Sequence, residues 1–202
     1  MKPDTILSVV PNKTGKPVEF RISNYKRMIA KRDAAKKEIG EMVYHGFYGR
    51  YIKPFCFADQ QYRKSYKNGF AMMASSCLLI EALESFYLGL EETPRGENSE
   101  MFDSFFKREP AFKVFRGAKF YKNVRCGILH QGETTGGFTI TRLDTATLFD
   151  AKDKKINAHK FLTELEKSLA AYRDCLIRAE WDSEIWDNFR RKMRFIIRNC
   201  EG

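Results

Sequence analysis

The chain has 202 residues, is 43% hydrophobic and 14% aromatic, and carries a formal charge of +10. That supply of apolar residues can bury a sizeable core, so disorder is not the default, and the length suits one domain with an extension or two small ones. The charge is unevenly spread: residues 1–68 hold 15 Lys and Arg against 6 Asp and Glu, and the other 134 hold 21 against 20. Such asymmetry points to a polyanionic partner, unless it only dresses a solvated basic helix.

The longest nearly uncharged apolar run, Phe70 to Ile80, is 11 residues, far short of a membrane span. The N-terminus has no apolar run followed by a small-residue cleavage site. We therefore expect a cytoplasmic chain with no membrane partner. Cys56, Cys77, Cys126, Cys175 and Cys200 form no CxxC pair and only three histidines accompany them. Reduced structural thiols are expected, with no metal and no cofactor.

Residues 1–20, with Pro3, Pro11, Gly15 and Pro17, read as an irregular arm holding one short strand. A helix is expected from Ser23, with Tyr25, Met28 and Ile29 inward and Lys26, Arg27, Lys31, Arg32, Lys36 and Lys37 outward. Gly40 would end it, and a second helix would run from Glu41 to about Tyr51. Its Tyr44, Phe47, Tyr48 and Tyr51 suit core packing better than base stacking. A long helix from near Ala58, with Asp59 in its first turn, to Gly89 carries Phe70, Met73, Cys77, Ile80, Leu83 and Tyr87 at three- and four-residue spacing. Glu81 sits in that apolar stretch and needs a partner there.

A loop over Glu91 to Ser99 precedes short helices at about Met101 to Lys107 and Ala111 to Phe115, and another from about Ala118. Phe138 to Arg142 alternates and Thr147 to Phe149 is β-prone, which predicts a small hairpin insert over about 137–157, entered at Gly136 and Gly137. Two helices close the chain. Leu162, Leu165, Leu169, Tyr172 and Leu176 mark one; Trp186, Phe189, Met193, Ile196 and Cys200 mark the other, with a turn around Glu180 to Asp182 between them. The expected class is all-α, an up-and-down bundle over 58–202 with a basic N-terminal region over 1–57.

The most chemically loaded stretch is Phe120 to Glu133, FYKNVRCGILHQGE, which places Arg125 and His130 five residues apart. Arginine grips phosphate with a planar fork of donors, and histidine exchanges a proton near neutral pH. The spacing alone is weak, since about 0.2 such matches arise by chance in this composition. On a straight α-helix, moreover, the two lie about 140° apart around the axis. Convergence requires a helix break, for which Gly127 and Gly132 give scope, or a second copy across a dimer.

VRCGILHQGE, the helix SSCLLIEALESFYLG and the terminal helix pair together resemble the HEPN superfamily of helical bundles with an R-x4-6-H signature, over roughly residues 60–202. The resemblance implies a metal-independent endoribonuclease, usually a homodimer with a composite site, often serving toxin–antitoxin or anti-phage defence; whether an antitoxin or nucleotidyltransferase partner restrains it is left open by the sequence. It assigns Arg125 and His130 to catalysis and Glu81 to a supporting polar position. Cys126 stands where Asn, Asp or His is common. RNA brings its own nucleophile, the 2′-OH; His130 would move protons and Arg125 would hold the scissile phosphate. Lys26, Arg27, Lys31 and Arg32 would add sequence-independent phosphate contacts. The competing reading is a non-catalytic module binding RNA, nucleotide or a protein, with Arg125 capping carbonyls or pairing with Glu81 and His130 satisfied in the core. A third reading, a DNA-binding regulator using the basic helix, is disfavoured because the sequence shows no recognisable helix-turn-helix.

Overall fold

The computed structural model describes residues 4–12, 14–56, 67–92, 96 and 98–201. The chain is mostly helical. In order it forms strands β1 (Ile6–Pro11) and β2 (Pro17–Arg21), helices α1 (Ile22–Ile29), α2 (Lys36–Phe47), α3 (Gly69–Leu88), α4 (Asn98–Arg108) and α5 (Gly127–Gln131), strands β3 (Thr139–Thr141), β4 (Phe149–Asp150) and β5 (Lys155–Asn157), then α6 (Ala158–Arg178) and α7 (Glu184–Glu201). Short 3-10 turns cover Arg32–Ala35, Lys53–Phe55 and Pro110–Phe115, and π-helical turns cover Tyr48–Ile52 and Tyr121–Cys126. The chain divides into two compact units interleaved along the sequence: one takes Met1–Arg50, Ser85–Glu92 and Leu169–Gly202, the other Tyr51–Glu84 and Thr93–Ser168.

In the first unit the expected irregular arm is a two-stranded antiparallel hairpin, with Val10 opposite Val18 and Pro11 opposite Pro17. Both prolines sit at strand ends, where a missing N–H costs no ladder bond. Asn12 closes the turn by accepting the N–H groups of Thr14 and Lys16, both at 2.9 Å.

The basic stretch is not one helix. α1 stops after Ile29 and Arg32 takes a left-handed φ of 51°. The next helix runs straight through Gly40, which therefore ends nothing. A Cβ at Gly40 would lie 3.0 Å from Cγ1 of Ile177, so the glycine is there for the close approach of α2 to α6. The core of this unit is Tyr25, Phe47, Phe86, Tyr172, Trp186 and Phe189, with rings meeting largely edge-on. On α7 the buried stripe is Trp186, Phe189, Met193 and Ile197, so Ile197 replaces the expected Ile196.

The second unit is built on phenylalanine. Phe102, Phe105, Phe106, Phe112, Phe115, Phe120 and Phe161 are each no more than 2% exposed. α3 begins at Gly69; the start expected near Ala58 and Asp59 falls outside the described residues. Gly89, with φ of 64°, ends it as expected. At 20 residues α3 reaches membrane-spanning length and hydropathy, which the 11-residue run understated, but over half of the stretch is buried inside the protein.

The insert is not a simple hairpin but a three-stranded sheet in the order β3-β5-β4, with β3 parallel and β4 antiparallel to β5. Buried Asn157 explains the return path. Its side-chain amide donates to the carbonyls of Leu143 (2.7 Å) and Ala146 (3.3 Å), and its N–H bonds the carbonyl of Leu148. The connection is thereby pinned beside β5, and β4 lands on the free edge.

Candidate active site

The second unit brings Arg125 and His130 together in one chain. Nη1 of Arg125 lies 3.3 Å from Nε2 of His130. The local backbone explains how residues that a straight helix would separate can meet. Residues Tyr121–Cys126 form a π-helical turn, whose wider i→i+5 path loosens the regular angular spacing, before α5 resumes at Gly127. The long arginine side chain covers the remaining gap.

Gly127 is required by close approach: a Cβ there would stand 2.5 Å from the carbonyl oxygen of Glu133. Gly132, with φ of 71°, caps α5 in the left-handed conformation. The chain then folds back, with the Thr135 N–H donating to the Asn123 carbonyl at 2.9 Å. Gly136 leaves room for the Asn123 side chain, 2.7 Å from where its Cβ would be. Gly136, one of the two glycines expected as a hairpin entry, thus packs against the π turn, whereas Gly137 faces Lys154.

Glu81 aims the arginine. Arg125 donates from Nε to Oε1 at 2.8 Å and from Nη2 to Oε2 at 3.4 Å. Using that edge of the guanidinium leaves Nη1 turned toward His130. Burial works against the charge of Arg125, and the hydrogen bond and charge of Glu81 more than offset it, so its pKa is raised and it stays a cation. For Nε2 to accept from Arg125, the imidazole must be neutral with its proton on Nδ1. His130 is exposed to solvent, whereas Arg125 and Glu81 are half-buried.

Two neighbours complete the cluster. The Arg125 guanidinium lies 5.5 Å from the centre of the Tyr121 ring. Burial, and next a hydrogen bond with Cys126, push the Tyr121 phenol above its ordinary value. Cys126 thus stands beside Tyr121 in the cluster. Tyr121, Val124 and Ile128 follow one another at helical spacing. Only Val124 is fully buried, and Tyr121 serves both core and site.

Sequence reasoning missed Glu84. One turn along α3 from Glu81, it is wholly buried and takes both fork donors of Arg108, at 2.9 and 2.7 Å, plus the hydroxyl of Ser104 at 2.6 Å. The signal was present as a second carboxylate in the same apolar run.

The four basic residues expected to contact phosphate belong to the first unit and do not act alike. Lys26 pairs with Glu201, and Arg32 grips Asp182 at 2.7 and 2.9 Å. Arg27 and Lys31 are exposed, with no carboxylate partner among the described residues. Among the described residues no group of three or more His, Cys, Asp or Glu could hold a metal ion.

No family model, no curated protein and no solved structure matches this chain.

Proposed function

We propose that this protein is a metal-independent endoribonuclease of HEPN type, with Arg125 and His130 as its catalytic pair. The observation that carries this reading is their 3.3 Å approach, with the arginine aimed by Glu81 and the histidine open to solvent. When an RNA phosphate enters, the Nη donors of Arg125 turn to its non-bridging oxygens and offset the charge that builds there. Nε2 of His130, released from Arg125, takes the 2′-OH proton. O2′ then attacks phosphorus, the bond to the 5′ oxygen breaks, and that oxygen leaves with a proton from an acid. The products are a 2′,3′-cyclic phosphate and a 5′-OH.

A second imidazole is the natural acid, and a second copy of the chain supplies one. Exposed Leu78, three residues before Glu81, and exposed Leu129, next to His130, offer apolar surface for a homodimer with a composite site. We place this activity in the cytoplasm, in toxin–antitoxin or anti-phage defence, under restraint by an antitoxin or nucleotidyltransferase partner.

The alternative, a non-catalytic module binding RNA, nucleotide or a protein, is favoured by one observation: Arg125 does pair with Glu81. It leaves the exposure of His130 without a reason. The test is incubation of RNA with wild type and His130→Ala in EDTA. We expect wild type alone to cut, giving cyclic-phosphate ends. Cutting that survives the substitution, or that EDTA abolishes, would remove the proposal.

A further inference from the structure

The catalytic cluster offers one guanidinium and one imidazole, too few groups to hold a strand, while the first unit carries a groove that the proposed cleavage leaves unused. It encloses about 480 Å³ between α1 and α7, and its walls include Tyr25 and Lys26 on one side and Arg190, Arg194, Arg198 and Glu201 on the other. We infer that this groove binds the phosphodiester backbone of single-stranded RNA, as a holding site separate from the cutting residues. The choice of RNA rests on the endonuclease reading; the groove and its charge do not.

Arg190, Arg194 and Arg198 recur every four residues, so they share one face of α7 and step about 6 Å at a time, about 12 Å in all. That spread is too long for one compact anion and suits successive phosphates. The regular forks fit phosphate better than the scattered carboxylates of an acidic peptide. A concave site with its cations on the walls does not present them to a flat lipid surface.

The present partners of these cations are replaceable. Arg198 pairs with Glu91 at 2.9 Å, with the two side chains 66% and 50% exposed, and exposed pairs of this kind are weak. Lys26 holds Glu201 at the groove itself. Arg194 has no carboxylate partner among the described residues. Arg190 is the positioned member: it donates to the Trp181 carbonyl at 2.9 Å, stacks 5.0 Å from the Trp181 ring and also pairs with Asp187. Tyr25 lies against Arg190 and Arg194; burial keeps its phenol protonated well above the usual range, so it can only present a neutral hydroxyl there.

The test measures binding of a short labelled single-stranded oligoribonucleotide to the full chain as a function of salt, in the His130→Ala background so that nothing is cut. The double variant Arg194→Glu with Arg198→Glu is expected to lose more than about tenfold in affinity. Its slope of log affinity against log salt should flatten by at least about one. Glu201→Gln, which removes the competing carboxylate, is expected to tighten binding about twofold or more, a gain that a misfolded variant would not give. Unchanged affinity and slope in the double variant, no tightening in Glu201→Gln, or displacement of RNA by poly-glutamate or anionic vesicles at equal charge overturns the inference. Cleavage by the wild-type chain, assayed in parallel, separates the two failures. Groove variants that bind as wild type beside intact cleavage sink only the groove, and altered binding without any cleavage sinks only the nuclease.

Discussion

Glu81 and Glu84 are one turn apart on the same helix and each holds an arginine, yet the two pairs are built for different ends. Glu84 is fully buried and meets Arg108 fork to fork, with Ser104 filling a further acceptor site. Arg108 also contacts Glu109, which accepts from Ser168 at 2.7 Å, so that network is closed. Glu81 and Arg125 are 18% and 16% exposed, their second contact stretches to 3.4 Å, and a guanidinium nitrogen is left over for His130. Identical residue types make a brace where all three guanidinium nitrogens meet carboxylates and a candidate site where one faces a histidine instead.

Several substitutions separate the brace from the site. The largest effect is expected at His130: alanine should lower the cleavage rate about 10²–10⁴-fold, the usual contribution of a general acid or base, with an unchanged melting temperature. Equal losses of rate and of folded protein would make His130 structural.

Next in size is Arg108→Ala, which strands a wholly buried carboxylate and should cost about 3–5 kcal/mol of stability by urea unfolding. Arg125→Ala should cost only about 1 kcal/mol, because the partly exposed Glu81 can hydrate. If the order is reversed, the division into brace and site is wrong.

Arg125→Lys keeps the charge but loses the fork, so cleavage should fall about tenfold to a hundredfold while stability barely moves. The smallest effect is expected at Cys126→Asn, which replaces the thiol against Tyr121 with an amide and should change the rate less than about threefold. A larger loss would make the thiol itself part of the chemistry.

Helical stripes were legible wherever one face of a helix is apolar along its length. Leu162, Leu165, Leu169, Tyr172 and Leu176 are all buried at the spacing that the sequence displays. Gly40 misled because glycine's lack of a side chain serves packing there rather than helix termination, and Ile177 lies too far along the chain to be anticipated. The β3-β5-β4 order was hidden because it depends on Asn157 reaching back to a loop.

In the candidate site, residue identities could be read from the stretch Phe120 to Glu133, but their convergence could not. It depends on a π turn held by Asn123, Thr135 and Gly136, a non-local arrangement without a period. The arginine ladder of α7 was overlooked because the charge excess lies in the first 68 residues, whereas Arg190, Arg194 and Arg198 sit in the nearly neutral remainder.

The most direct test uses an otherwise all-deoxy strand with one internal ribonucleotide, incubated in EDTA with wild type, Arg125→Ala and His130→Ala. The account predicts a single cut by wild type on the 3′ side of that ribonucleotide, leaving a 2′,3′-cyclic phosphate, and none by either variant. A cut at a deoxy position, or the same cut by the His130 variant, would contradict it.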